Sequence, residues 1–209
     1  MLDFIRQFGK NRHQVGSLVP SSRFLGDALI YRIKSHQGKK QILEVGPGTG
    51  AVTQRLVSQL SPGDELWLVE ANPRFCEILE EKCQGIWSQN LLGVTVHIKR
   101  LYLEHLKEGL EFDFIVSGLP LNNFEPEVVQ SILQSYQRLL KPDGYLSYFE
   151  YLAVRKLRSV VTNLTGSRAG LEVNSILDGF IDRFQIEAKP VFLNIPPAVA
   201  RHFQLKDEA

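Results

Sequence analysis

A doubly wound α/β fold, with a mostly parallel seven-stranded sheet and helices on both faces, is predicted by three observations. Strand-like and helix-like segments alternate along the chain. The first strand breaks into a glycine turn that leads directly into a helix. The second strand ends in a carboxylate. With 209 residues, 44% of them hydrophobic, the chain can bury a full core. No apolar run approaches membrane-spanning length. The reading divides the chain into an N-terminal amphipathic helix and lid segment, residues 1–40, and a sheet domain, residues 41–209, with no repeat or low-complexity linker between them.

The elements follow in order. Ile42 to Val45 is an apolar strand, and Gly46-Pro-Gly-Thr-Gly50 is the turn after it. Glycine is needed there because the backbone takes angles that side chains forbid and because a ligand must approach the main chain closely. Val52 to Leu60 is the helix, and Ser61-Pro-Gly-Asp64 ends it. Leu66 to Val69 forms the second strand. Asn72-Pro73, a cap and first-turn pair, opens a helix with Phe75, Ile78 and Leu79 on one face. Strand three is Val94 to Ile98, and strand four is Phe112 to Ser117. Pro126 opens a helix to Leu140, which Lys141-Pro-Asp-Gly144 stops. Strand five is Tyr145 to Phe149, a helix runs from about Ala153 to Leu164, and Phe180 to Glu187 with Pro190 to Ile195 form a closing C-terminal strand pair.

Ligands of such a sheet lie at the carboxyl ends of its strands. Glu70 stands twenty residues past Gly50, the spacing at which an acid reaches both hydroxyls of a ribose. Adenosine is therefore expected. Nicotinamide dinucleotides and S-adenosyl-L-methionine both use this arrangement, and spacing separates them. Dinucleotide sites use Gly-x-Gly-x-x-Gly, whereas this chain has Gly46-x-Gly48-x-Gly50 preceded by Glu44. A carboxylate would repel pyrophosphate but attract the cationic amino group of a methionine moiety. The segment resembles the Glu/Asp-x-Gly-x-Gly-x-Gly motif of class I methyltransferases, which implies a Rossmann-like sheet and S-adenosylmethionine as cofactor. Glu44, Gly46, Gly48, Gly50, Glu70, Ala71, Leu101 and Ser117, at the exits of strands one to four, are the expected cofactor-binding residues.

Charge and cysteine content narrow the setting. The net charge is +1, yet residues 1–40 carry eight Lys or Arg against Asp3 and Asp27. Such asymmetry suits an anionic partner, nucleic acid or an acidic membrane surface. Cys76 and Cys83, seven apart on one expected helix, stand too far apart for a disulfide. His13, His36, His97, His105 and His202 show no metal-ligand spacing. The N-terminus lacks the pattern of a secretory signal, so a cytoplasmic location is expected.

Two amphipathic stretches stand out. Met1, Leu2, Phe4, Ile5 and Phe8 share one side of a helical wheel, and Ala153 to Leu164 combines basic residues with Leu157, Val160, Val161 and Leu164. Each needs a surface, either the protein's own sheet or a lipid interface.

Four motifs in one order carry a fuller resemblance: Val15-Gly-Ser-Leu-Val-Pro-Ser-Ser22, Leu43-Glu-Val-Gly-Pro-Gly-Thr-Gly50, Val116-Ser-Gly-Leu-Pro-Leu-Asn-Asn-Phe124 and Asn194-Ile-Pro-Pro197. Together they are similar to the bacterial phospholipid N-methyltransferases. The resemblance implies methylation of phosphatidylethanolamine and its methylated forms, with peripheral attachment to the inner face of the cell membrane. Aminolipids such as ornithine lipid present a comparable amine. Ribosomal RNA adenine dimethyltransferases share the glycine loop, but strand four lacks their Asn and aromatic at Ser117 and Leu121, so nucleic acid is not expected. A small-molecule acceptor is a further alternative, and the sequence leaves the oligomeric state open.

Methyl transfer to an amine needs a neutral nucleophile held in line with the donor. A primary amine with a pKa near ~10 is mostly protonated at neutral pH, so a proton acceptor or water path is required. Tyr151, with Tyr148 and Glu150 as helpers after strand five, is the expected acceptor group, and Asn122 or Asn123 is expected to orient the headgroup. Ser17, Ser21 and Ser22 offer hydroxyls to the methionine carboxylate or a lipid phosphate.

Overall fold

The computed structural model describes residues 21–152 and 168–205. The two amphipathic stretches, most of the lid segment and the helix expected from Ala153 lie outside them. Seven strands form one sheet in the order β3-β2-β1-β4-β5-β7-β6. They span Gln41–Val45 (β1), Glu65–Val69 (β2), Thr95–Lys99 (β3), Phe112–Ser117 (β4), Leu140–Tyr151 (β5), Gln185–Val191 (β6) and Ala198–Phe203 (β7). The pairings among β1 to β5 are parallel, and β7 runs antiparallel to both β5 and β6. Helices cover both faces, as the doubly wound reading requires.

Five α-helices are described: Arg23–Lys34 (α1), Thr53–Val57 (α2), Pro73–Gln84 (α3), Pro126–Leu139 (α4) and Arg168–Phe184 (α5). Strand alternation divides the core between the faces. Ile42, Leu66, Phe114 and Val116 meet α1, α2 and α3. Leu43, Ile115, Leu146 and Tyr148 meet α4 and α5. α1 starts where Ser22 accepts a hydrogen bond from the Leu25 N–H, and it buries Leu25, Leu29, Ile30 and Ile33. Residues 23–34 therefore share one core with the sheet. α3 begins as its sequence dictates, with the Asn72 side chain accepting from Arg74 N and Pro73 in the first turn.

Two boundaries differ from the sequence reading. β5 begins at Leu140, because Lys141–Gly144 enters the sheet opposite an irregularity between Phe112 and Phe114 in β4. The closing strands lie later than expected, since Phe180 and Phe184 are the last buried residues of α5 and not part of a strand. Their spacing of four serves a helix face as well as a strand edge. Asn194-Ile-Pro-Pro197 is consequently the turn between β6 and β7.

Candidate cofactor site

The order of the strands reverses between β1 and β4, and their carboxyl ends frame a cleft. It holds about 680 Å³ of free space, open mouth included, and its wall is largely apolar. Gly46, Glu70, Ala71 and Leu101 line it.

Two glycines set the width of this cleft. Gly46 has φ +66°, and its N–H donates to the Val69 carbonyl at 2.9 Å. Gly118, leaving β4, donates to the Val45 carbonyl at 2.8 Å, and a Cβ on it would lie 2.7 Å from the Gly46 carbonyl oxygen. The loops after β1 and β4 thus pack main chain against main chain.

The two acids differ in their surroundings. Glu70 ends β2 and is 5% exposed; its Oε2 accepts from Gly48 N at 3.0 Å and its Oε1 from Asn72 N at 2.8 Å. These bonds hold its carboxylate across the glycine turn. Glu44 lies one strand away, 2% exposed, with Oε2 lacking a hydrogen-bond partner. Burial away from water pushes its carboxyl up to about 8, Thr53 opposes the shift, and the charge of Glu70 adds to it. A cation at the glycine cradle would lower this shift and draw the proton from the buried acid.

The remaining expected residues stand outside the cleft's lining. Gly48 contributes its N–H to Glu70, and Gly50 lies against Leu79 and Trp87. The Ser117 hydroxyl faces inward, accepting from Tyr136 Oη at 2.6 Å and from Leu119 N at 3.2 Å, which braces the turn after β4. Asn122 is buried in the short 3-10 turn Leu121–Asn123. Tyr148 is fully buried and stacks on Phe203 at 5.0 Å. Glu150 accepts from Arg201 Nε at 2.8 Å. Tyr151 is half-buried against Phe149. Alternation along β5 places Tyr148 and Glu150 on one face and Tyr151 on the other.

Sequence reasoning missed Tyr102, Glu104 and Phe124 in the cleft wall. Glu104 is the first acid after β3, a signal present in the sequence. The 3-10 turn Leu103–His105 folds it back to the cleft.

Comparison with known proteins agrees with this fold. Residues 42–144 match the methyltransferase-domain family. The ornithine lipid N-methyltransferase of Singulisphaera acidiphila is 28% identical over 142 residues, 68% of this chain and 72% of that protein. Among solved structures, a putative O-methyltransferase from Klebsiella pneumoniae superposes with a TM-score of 0.66 at 19% identity, over 96% of this chain and 89% of its own. The N-methyltransferase NodS from Bradyrhizobium japonicum, solved with S-adenosyl-L-homocysteine, gives 0.58 at 17% identity, over 89% of each chain. These likenesses show the fold. The match over residues 42–144 makes that stretch, with its glycine cradle and strand-two acid, similar to the methyltransferase domain.

Proposed function

We propose that this enzyme methylates the amine headgroup of a membrane aminolipid, with phosphatidylethanolamine and its methylated forms as the acceptors. The observation that carries the reading is the relative named as an ornithine lipid N-methyltransferase, aligned over 68% of the chain. Four sequence motifs in the order of phospholipid N-methyltransferases support it. That same relative favours a second reading, in which ornithine lipid replaces phosphatidylethanolamine.

Bound S-adenosylmethionine supplies a methyl group on a sulfonium carbon. Glu70 would hold the ribose hydroxyls, with Ala71 and Leu101 beside the adenosine, and the Gly46–Gly50 backbone would lie along the methionine part. The positive charge of that part would draw the proton off Glu44, which stands behind the turn, and the carboxylate so formed would answer it. The apolar wall from Leu119, Phe124 and Leu101 excludes water, which strengthens each of these electrostatic contacts.

On the acceptor side, the Tyr151 hydroxyl at the end of β5 would accept a hydrogen bond from the amine and relay its proton to water by giving up its own, and Asn122 would orient the headgroup. Tyr148 and Glu150 act from the opposite face of β5. Glu150, through Arg201, keeps β5 and β7 in register, so its part in the reaction is positioning.

The test is incubation with methyl-labelled S-adenosylmethionine and a panel of phosphatidylethanolamine, its monomethyl form, ornithine lipid and a water-soluble amine, followed by lipid chromatography. Label in the phosphatidylethanolamine series supports the first reading. Label confined to ornithine lipid selects the second. Label only in the soluble amine, or in none, defeats both.

A further inference from the structure

The turn joining β6 to β7 presents three large apolar side chains to solvent: Phe192, Leu193 and Ile195 are 71, 67 and 76% exposed. Scattered exposed hydrophobics are ordinary, but three within four residues ask for a partner. The turn is also braced. Asn194 between them is 2% exposed, its Oδ1 accepting from Ser22 N at 2.9 Å and its Nδ2 donating to the Pro196 carbonyl at 2.8 Å. Leu152 N donates to the Pro197 carbonyl at 2.9 Å. One polar side chain is thus fixed inward while its three neighbours point out.

Position gives the turn its meaning. β6 runs parallel to β1 to β5, so its end lies at the same edge of the sheet as the cofactor cleft. Ser22, bonded to the turn, begins α1, where exposed Arg23 lies 4.8 Å over the half-exposed Phe24 ring. A cation beside a cluster of apolar tips complements an anionic lipid surface. Leu152, bonded to the Pro197 carbonyl of this turn, is followed in the sequence by the basic stretch Ala153 to Leu164. A protein partner would need none of this coincidence with the cleft's edge.

We infer that Phe192, Leu193 and Ile195 form an apolar wedge that enters the headgroup and acyl boundary of a bilayer and sets the mouth of the cleft against it. The inference rests on the aminolipid reading for the identity of what is delivered, though not for the contact itself. Dilution of anionic lipid should weaken the contact less than removal of the three side chains.

Flotation with vesicles of phosphatidylethanolamine and phosphatidylglycerol tests it on the full chain. The triple variant Phe192→Ser, Leu193→Ser, Ile195→Ser is expected to lose at least about tenfold in vesicle partitioning, because binding scales with buried apolar area. Methylation of vesicle lipid should fall in parallel. Calorimetric binding of S-adenosylmethionine and methylation of a short-chain phosphatidylethanolamine below its micelle concentration should stay within twofold. The indole introduced by Phe192→Trp, which leaves the turn largely intact, should be quenched by bromine-labelled acyl chains. Wild-type partitioning by the triple variant, or an introduced indole that stays unquenched on vesicle-bound protein, overturns the wedge. So does a variant that only dissociates a dimer in sedimentation, which would mark the turn as a contact between two copies. If wild-type protein binds vesicles through the turn but methylates no lipid, the wedge stands and the aminolipid reading falls.

Discussion

The cleft end of β1 and β2 and the edge from β5 to β7 hold their acids in different ways. Beneath β1 and β2, Glu70 is held by backbone N–H groups and Glu44 keeps an oxygen without a hydrogen-bond partner. Beneath β5 to β7, protein cations answer the acids: Arg201 meets Glu150 at 2.8 Å and Arg32 meets Glu187 at 2.7 Å. Backbone donors hold a carboxylate in place without cancelling its charge, whereas a guanidinium cancels it. The cleft end therefore fixes Glu70 through main-chain donors and keeps Glu44 protonated by burial, whereas the far edge uses ion pairs to hold strands together.

The comparison can be broken at four points. Arg201→Ala should have the largest effect, leaving Glu150 buried without its cation and destabilising the fold by about 3–5 kcal/mol, read as a shift in the denaturant midpoint. A loss below about 1 kcal/mol would show that the pair is not structural. Glu70→Ala is expected to act on the donor instead, weakening S-adenosylmethionine binding by on the order of a hundredfold through lost charge-assisted hydrogen bonds. Unchanged calorimetric affinity would remove Glu70 from the site.

Glu44 sharpens the contrast through pH. Its folded carboxyl titrates at about 8 against an ordinary 4.5, so between those values the folded protein holds a proton that the unfolded chain releases. Stability should therefore decline from pH 4.5 to about 8 and level off above it. Glu44→Gln should flatten that decline, giving a larger gain in melting temperature at about pH 8 than at about pH 5. Parallel profiles for the two proteins would refute the assignment. The smallest effect is expected from Tyr151→Phe, a fall of about tenfold or more in kcat with donor affinity unchanged. Full turnover by that variant would send the amine's proton elsewhere.

The cleft at the ends of β1 and β2 was legible in the sequence because its signals are local. A glycine turn, the acid at the next strand's end and the Asn72-Pro73 start each follow from a few neighbouring residues. The surroundings of the residues after β5 depend on distant pairing. Tyr148, Glu150 and Tyr151 are consecutive enough to look like one cluster, yet alternation and the register with β7 send Tyr148 onto Phe203 and Glu150 toward Arg201. Ser117 was visible as a strand end, but its bond to Tyr136 joins β4 to α4 across nineteen positions. Glu104 escaped because a 3-10 turn shortens the path back to the cleft. The closing strands were placed too early because Phe180 and Phe184 satisfy two periodicities.

The bare contact between Gly118 and the Gly46 carbonyl has a consequence for how such an enzyme diversifies. Where peptide planes touch, the gap they leave is a constant of covalent geometry, insensitive to which side chains surround it. Exchanges along β6, β7 and their connecting turn can thus accumulate while the space between the loops after β1 and β4 stays the same size.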